Sequence, residues 1–116
     1  MRTIKLKPKK YKLEKKSLIR ELQMPKNEKI YYVYILETTS KRSGKKKYYT
    51  GFTGNLYRRL EQHKNDRGAK FCRGKKITLK YFETHFNRSD AMKRELEIKS
   101  LSHDEKTQLI NDFQKR

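Results

Sequence analysis

The sequence predicts an α/β (α+β) domain, a small three-stranded, mostly antiparallel sheet flanked by helices in the order β-β-α-β-α-α. Three observations carry this reading. Residues 31–36 (YYVYIL) and 48–53 (YYTGFT) are aromatic and β-branched runs close enough in sequence to pair antiparallel. Residues 77–83 (ITLKYFE) alternate apolar and polar positions, as a half-buried third strand does. Between and after them lie segments with helical spacing and helix-start residues.

In chain order, residues 38–47 (TTSKRSGKKK) hold turn formers and five positive charges, and read as an exposed basic hairpin loop. A helix over about 55–65 follows, with Leu56, Leu60 and His63 at helical spacing and Thr53 or Asn55 as its cap. Residues 65–76 carry two glycines and five more positive charges, a second basic loop. After the third strand, a helix over about 88–101 is entered through Asn87 and Ser89, with Ala91, Leu96, Ile98 and Leu101 as its apolar face. Ser102 and Glu105 form a capping box for a last helix over about 103–114, which buries Leu109, Ile110 and Phe113.

The domain occupies residues 30–116. Residues 1–29 read as a basic extension, with a short helix expected over 12–23 on whose one side Leu13, Leu18, Ile19 and Leu22 would lie; the Pro25-containing stretch that ends it reads as a linker. With 116 residues, 33% of them hydrophobic, the chain can close one modest core. Lys and Arg number 32 against 13 acidic residues, a net charge of +19 that opposes compaction unless a polyanion shares the surface. The first 30 residues alone hold 11 basic and 3 acidic side chains. Nucleic acid is the expected partner. Lys45, Lys46, Lys47, Arg58, Lys70, Arg73, Lys75 and Lys76 are the expected contacts to its phosphates.

Other classes fall away. No apolar run approaches the roughly 18 residues of a membrane span. The start, MRTIKLKPKK, lacks the apolar core of a secretory signal. The one cysteine, Cys72, has no partner for a disulfide or a zinc site and reads as an incidental thiol in a basic loop. A reducing cytoplasmic setting is expected, nucleoid-associated in a bacterium.

Two tyrosine-bearing strands, then Arg59 and His63 one helical turn apart, then Glu95 on a later helix, make up a recognisable series. Over roughly residues 30–110 the chain resembles GIY-YIG endonuclease domains of the compact bacterial type, and also the nuclease domain of scaffold-dependent flap endonucleases. The first motif falls on Tyr32-Val33-Tyr34 and the second on Tyr49-Thr50-Gly51, with Tyr32 standing for the usual glycine and Thr50 for the usual isoleucine. The family's arginine lies ten residues beyond the second motif's tyrosine, at Arg59. Its metal-binding glutamate, four residues after an alanine, lands on Glu95, after Ala91. Several relatives have an assisting asparagine some distance beyond that glutamate; Asn111 is the one asparagine here beyond Glu95 and is not counted in the site.

The resemblance implies a metal-dependent DNA endonuclease acting on structured or loosely specified DNA, with Tyr34, Tyr49, Arg59, His63 and Glu95 as its catalytic set. Phosphodiester hydrolysis needs an activated water, a stabilised phosphate and help for the leaving oxygen. Glu95 is the expected anchor for Mg²⁺ or Mn²⁺, which needs only one or two carboxylates. A planar, always-charged Arg59 suits a phosphate oxygen. A tyrosine becomes a base only where cations stabilise its phenolate, and Arg59, His63 and the metal are the expected cations. Either tyrosine can take the proton on the residues alone; the resemblance favours Tyr34. Singly, each residue has a plainer role: strand tyrosines, a solvated arginine, a packed histidine, a glutamate paired with Lys99. The rival functions are a non-catalytic nucleic-acid-binding module on the same fold and an RNA- or ribosome-associated basic protein. The small size of the module leaves room for a specificity-giving protein partner, which nothing in the sequence names.

Overall fold

In the computed structural model, which describes residues 29–115, the most apolar run takes the centre of the sheet. Strand β1 (Tyr31–Ser40) lies between β2 (Lys46–Thr53) and β3 (Lys75–His85), antiparallel to both. Val33, Tyr34, Ile35 and Leu36 are all at most 1% exposed, because β1 is covered on both faces. Helix α1 (Leu56–Lys64) covers one face; α2 (Arg88–Lys99) and α3 (His103–Gln114) cover the other. The predicted fold class and element order are those observed. The helix expected over residues 12–23 lies outside the described residues.

Alternation along β1 sorts the core into two layers. Tyr32, Tyr34 and Leu36 pack with Leu56, Leu60, Cys72 and Ile77 under α1. Val33 and Ile35 pack with Tyr81, Ala91, Ile98, Ile110 and Phe113 under α2 and α3.

Strand β3 does not keep one alternation throughout. Ile35 pairs with Tyr81 but Leu36 pairs with Leu79, so Lys80 is a bulge. The extra residue shifts the phase: Ile77 packs on the α1 side, whereas Tyr81 packs on the α2 side. Strict alternation over residues 77–83 was the expectation, and the bulge replaces it.

The hairpin is tighter than the charge pattern predicts. Ladder pairing runs to Thr39 and Lys46, leaving a turn closed by Ser40, whose Oγ accepts the Arg42 and Ser43 N–H groups at 3.2 Å each. Lys46, Lys47, Lys75 and Lys76, expected on loops, therefore lie on strands, paired against residues 38–40 of β1. Backbone pairing is indifferent to a lysine whose ammonium reaches solvent, so strands continue through the charge. The second basic loop is likewise shortened, with a 3₁₀ turn at Lys70–Cys72.

Helix starts follow the local chemistry. The Asn55 side chain accepts the Arg58 N–H at 3.0 Å, and Asn87 accepts that of Asp90 at 2.8 Å. Ser102 and Glu105 form the expected reciprocal box. Leu96, expected on the apolar face of α2, is instead 64% exposed. Two residues before Ile98, it is rotated about 160° from that buried position around the helix. Ile98→Ala is expected to cost about 2–5 kcal/mol by opening a cavity. Leu96→Ala should stay within about 0.5 kcal/mol of the parent. Urea denaturation of the two variants checks the pair.

Candidate active site

The α1 face of the sheet carries a polar contact inside an apolar layer. The Tyr34 hydroxyl lies 3.0 Å from His63 Nε2, and these residues are 1% and 0% exposed. Tyr34 comes from the middle of β1 and His63 from the last turn of α1, on the stripe that also buries Leu56 and Leu60. Two glycines close round the pair. A Cβ on Gly51 would stand 2.5 Å from the Tyr34 hydroxyl oxygen, and one on Gly68 would stand 2.3 Å from His63 Nδ1. Nδ1 is buried with no hydrogen-bond partner among the described residues.

Tyr49 joins from β2, its ring edge-on to His63 at 5.5 Å between centroids. The strand's alternation decides between the adjacent tyrosines. Tyr48 faces the other way, stacked on His103 at 4.7 Å with its hydroxyl 2.9 Å from Thr107 Oγ1. Arg59, one turn before His63, donates to Gln62 Oε1 at 3.0 Å. With Arg58, Phe52 and Thr53 it lines an open groove of about 400 Å³ where β2 passes into α1.

Electrostatics follow from burial. Desolvation pushes the Tyr34 hydroxyl well above the ordinary tyrosine range, with the Arg59 guanidinium acting in the opposite sense. His63 is lowered to about 4, first by burial and then by Arg59. At neutral pH both groups are uncharged, so His63 is not one of the cations expected to stabilise a phenolate. Cys72, expected as an incidental thiol in a basic loop, is fully buried in the same layer, and burial raises its thiol pKa.

Glu95 sits across the sheet on α2. It follows Ala91 by one turn on the stripe that buries Ala91 and Ile98, so its side chain is only 15% exposed. Its carboxylate meets Lys99 Nζ at 3.5 Å, the plain pairing that the spacing allows. Tyr34 and Tyr49 thus both meet His63, and Arg59 acts on Tyr34 and His63, whereas Glu95 stands on α2, whose Ala91 and Ile98 pack in the other layer. Phe52, which lines the Arg59 groove, packs against that layer and carries Arg88 of α2 at 5.6 Å from its ring. Asn111 is exposed on α3.

No group of three His, Cys, Asp or Glu side chains able to hold a metal occurs among the described residues. A hard cation that retains most of its waters fits a single covered carboxylate such as Glu95. Of the predicted phosphate contacts, Lys45, Lys46, Lys47, Lys75 and Lys76 gather at the hairpin end of the sheet, with Lys46 3.6 Å from Glu37. Lys70 opens the 3₁₀ turn and Arg73 follows it, and Arg58 stands at the groove.

A second charged cluster had no signal in the sequence. Glu83 accepts from Tyr81 and from Arg94 Nε at 2.9 Å, and lies 2.7 Å from His85 Nε2. Burial pushes the Glu83 carboxyl up, but these hydrogen bonds outweigh it and hold the carboxyl low. The Lys80 bulge makes the network possible, since it turns Tyr81, Glu83 and His85 towards α2.

The profile of the GIY-YIG catalytic domain matches residues 30–108. The chain belongs to the GIY-YIG family. Its relatives include a UPF0213 protein of Clostridium perfringens, 42% identical over 69% of this chain and 82% of the relative. Another, from Oceanobacillus iheyensis, is 40% identical over 74% and 94%. The solution structure of a UPF0213 protein of Bacillus halodurans covers 73% of this chain and 86% of its own, at 36% identity and a TM-score of 0.45. GIY-YIG domains are nuclease domains, and the motif tyrosines Tyr34 and Tyr49 are the two that meet at His63.

The lowered His63 has a consequence for stability. The unfolded chain takes up a proton near the ordinary value of 6.5, while the folded chain resists until about 4. The neutral, buried histidine therefore supports folding above pH 6.5, and that support is lost as pH falls towards 4. Urea midpoints measured from pH 7.5 to 4 should fall more steeply in the parent than in His63→Gln.

Proposed function

We propose that this GIY-YIG domain is a divalent-metal-dependent endonuclease that hydrolyses phosphodiester bonds in DNA. The observation that carries the reading is the buried Tyr34–His63 contact, with Tyr49 against the same imidazole and Arg59 one turn away. A tyrosine hydroxyl and an uncharged histidine at 3.0 Å form a proton-transfer pair.

In this proposal Tyr34 accepts the proton of the attacking water as its own proton passes to His63 Nε2. No free phenolate forms, which suits a hydroxyl whose burial opposes ionisation. His63 is competent because it is neutral at rest, and the negative charge of a bound phosphodiester favours the imidazolium that forms. Tyr49, less buried than Tyr34, orients the water. Arg59 donates to a non-bridging phosphate oxygen, for which its fork of N–H groups is suited. Glu95 would hold Mg²⁺ or Mn²⁺, which supplies charge neutralisation at the phosphate and the leaving oxygen. The lysines at the hairpin end and beside the 3₁₀ turn hold the nucleic acid by its backbone, so binding favours charge and shape over sequence.

Cleavage of labelled linear, flap, Y-form and four-way-junction DNA in Mg²⁺, Mn²⁺ or EDTA tests the reading. Products should require metal and vanish in Glu95→Ala, with DNA binding retained. Tyr34→Phe and His63→Gln should each lower the rate by about 10²–10⁴-fold. Intact DNA in every lane, with binding preserved, would leave a non-catalytic binding module instead.

Phosphate binding has its own signature. Log affinity for duplex DNA should fall linearly with log salt, by about 0.9 per phosphate neutralised. Changing Lys45, Lys46 and Lys47 together to Gln should make that slope shallower by roughly 0.9 for each contact removed. Titrations of the parent and the triple variant at several salt concentrations give both slopes.

A further inference from the structure

Phe71 is held where the hydrophobic effect would not leave it. It is 39% exposed, although the chain round it is anchored: Ala69, just before its 3₁₀ turn, packs against the α1 layer and Cys72, the turn's last residue, is fully buried there. The loop round it is pinned, since Asp66 Oδ1 accepts the Gly74 N–H at 2.9 Å and Gly74 takes a positive φ of 72°. Its ring lies nearly parallel to that of Tyr49, at 21° with 6.0 Å between centroids. Lys75 Nζ stands 3.8 Å from the ring centroid, and Lys70 and Arg73 flank the residue in sequence. A pinned aromatic ring beside a candidate catalytic tyrosine, with Lys75 over it and Lys70 and Arg73 close by in sequence, has the make-up of a platform on which a base stacks while its phosphates are held.

We infer that Phe71 is a stacking site for an unpaired nucleobase beside Tyr49, and that it directs the domain to single-stranded or splayed nucleic acid. A base in a duplex already stacks on both faces and cannot lie flat on a protein ring without leaving the helix. An unpaired base can take the place of Lys75 over the ring, and the freed ammonium can then meet a phosphate. The inference rests on the nucleic-acid reading proposed above but not on catalysis. It adds a substrate class, strands with unpaired bases, and a residue that selects for it.

The test is a binding measurement in the Glu95→Ala background, so that no cleavage intervenes. A single-stranded oligonucleotide carrying 2-aminopurine and a fully paired duplex of the same sequence are titrated into Phe71→Leu, Phe71→Trp and the Phe71 parent. Phe71→Leu keeps an apolar side chain but removes the ring. It should weaken single-strand binding about tenfold or more and abolish the 2-aminopurine quenching, with duplex affinity and salt slope unchanged. Phe71→Trp should restore both the affinity and the quenching. Equal loss on both ligands, or no loss on either, overturns the stacking site while leaving the nuclease proposal standing. Failure of the parent to bind either ligand overturns the nucleic-acid reading and this inference with it. Thermal melting of each variant shows that it is folded.

Discussion

The hydrogen bond between Tyr34 and His63 is the constraint round which the domain is arranged. It joins the central strand to α1 in a layer otherwise made of Leu36, Leu56, Leu60, Cys72 and Ile77. The Tyr34 hydroxyl and His63 Nε2 can be held in that apolar layer because each is the other's partner. Burial also sets their charge state, since a phenolate or an imidazolium would be poorly solvated in that layer. Close approach of the backbone completes the enclosure. Gly51 lies against the hydroxyl and Gly68 against the imidazole, at separations that leave no room for a methyl group. The glycine of the second motif thus has a steric reason to be glycine, and so does one in the loop after α1.

The sheet separates two kinds of work. Its α1 face holds the uncharged pair, with Tyr49 and Phe71 leading outward to the basic rim. Its other face holds the larger apolar layer, and α2 carries Glu95 on the stripe that touches that layer. The groove lined by Phe52, Arg58 and Arg59 adjoins both, because Phe52 packs with the second layer while the arginines belong to α1. Steadiness of α2 comes partly from Arg94, whose guanidinium bridges Glu83 on β3 and Glu97 on its own helix. That bridge exists because the bulge at Lys80 turns the end of β3 towards the helix.

Much of this was legible in the residues. Aromatic and β-branched runs marked β1 and β2, Asn87 and the Ser102–Glu105 box marked helix starts, and the spacing of Leu56, Leu60 and His63 marked the buried side of α1. Each of these is a local signal, decided within one strand or one helical turn. Less was legible where charge was taken for loop, as at Lys46 and Lys75, because ladder hydrogen bonds come from the backbone and continue beneath a solvated side chain. Leu96 misled for a related reason: an apolar residue is buried by what packs on it, and among the described residues nothing packs over that side of α2.

By itself, the sequence determined the strand and helix order, the basic surface and the identity of the motif residues, since these depend on periodicity, composition and spacing along one chain. Only the tertiary structure decided that Tyr49 rather than Tyr48 meets His63, that His63 is uncharged, that Cys72 is core and that Phe71 is held at the surface. Those outcomes depend on which face of a strand meets which helix and how completely water is excluded between them, quantities that no single stretch of chain contains.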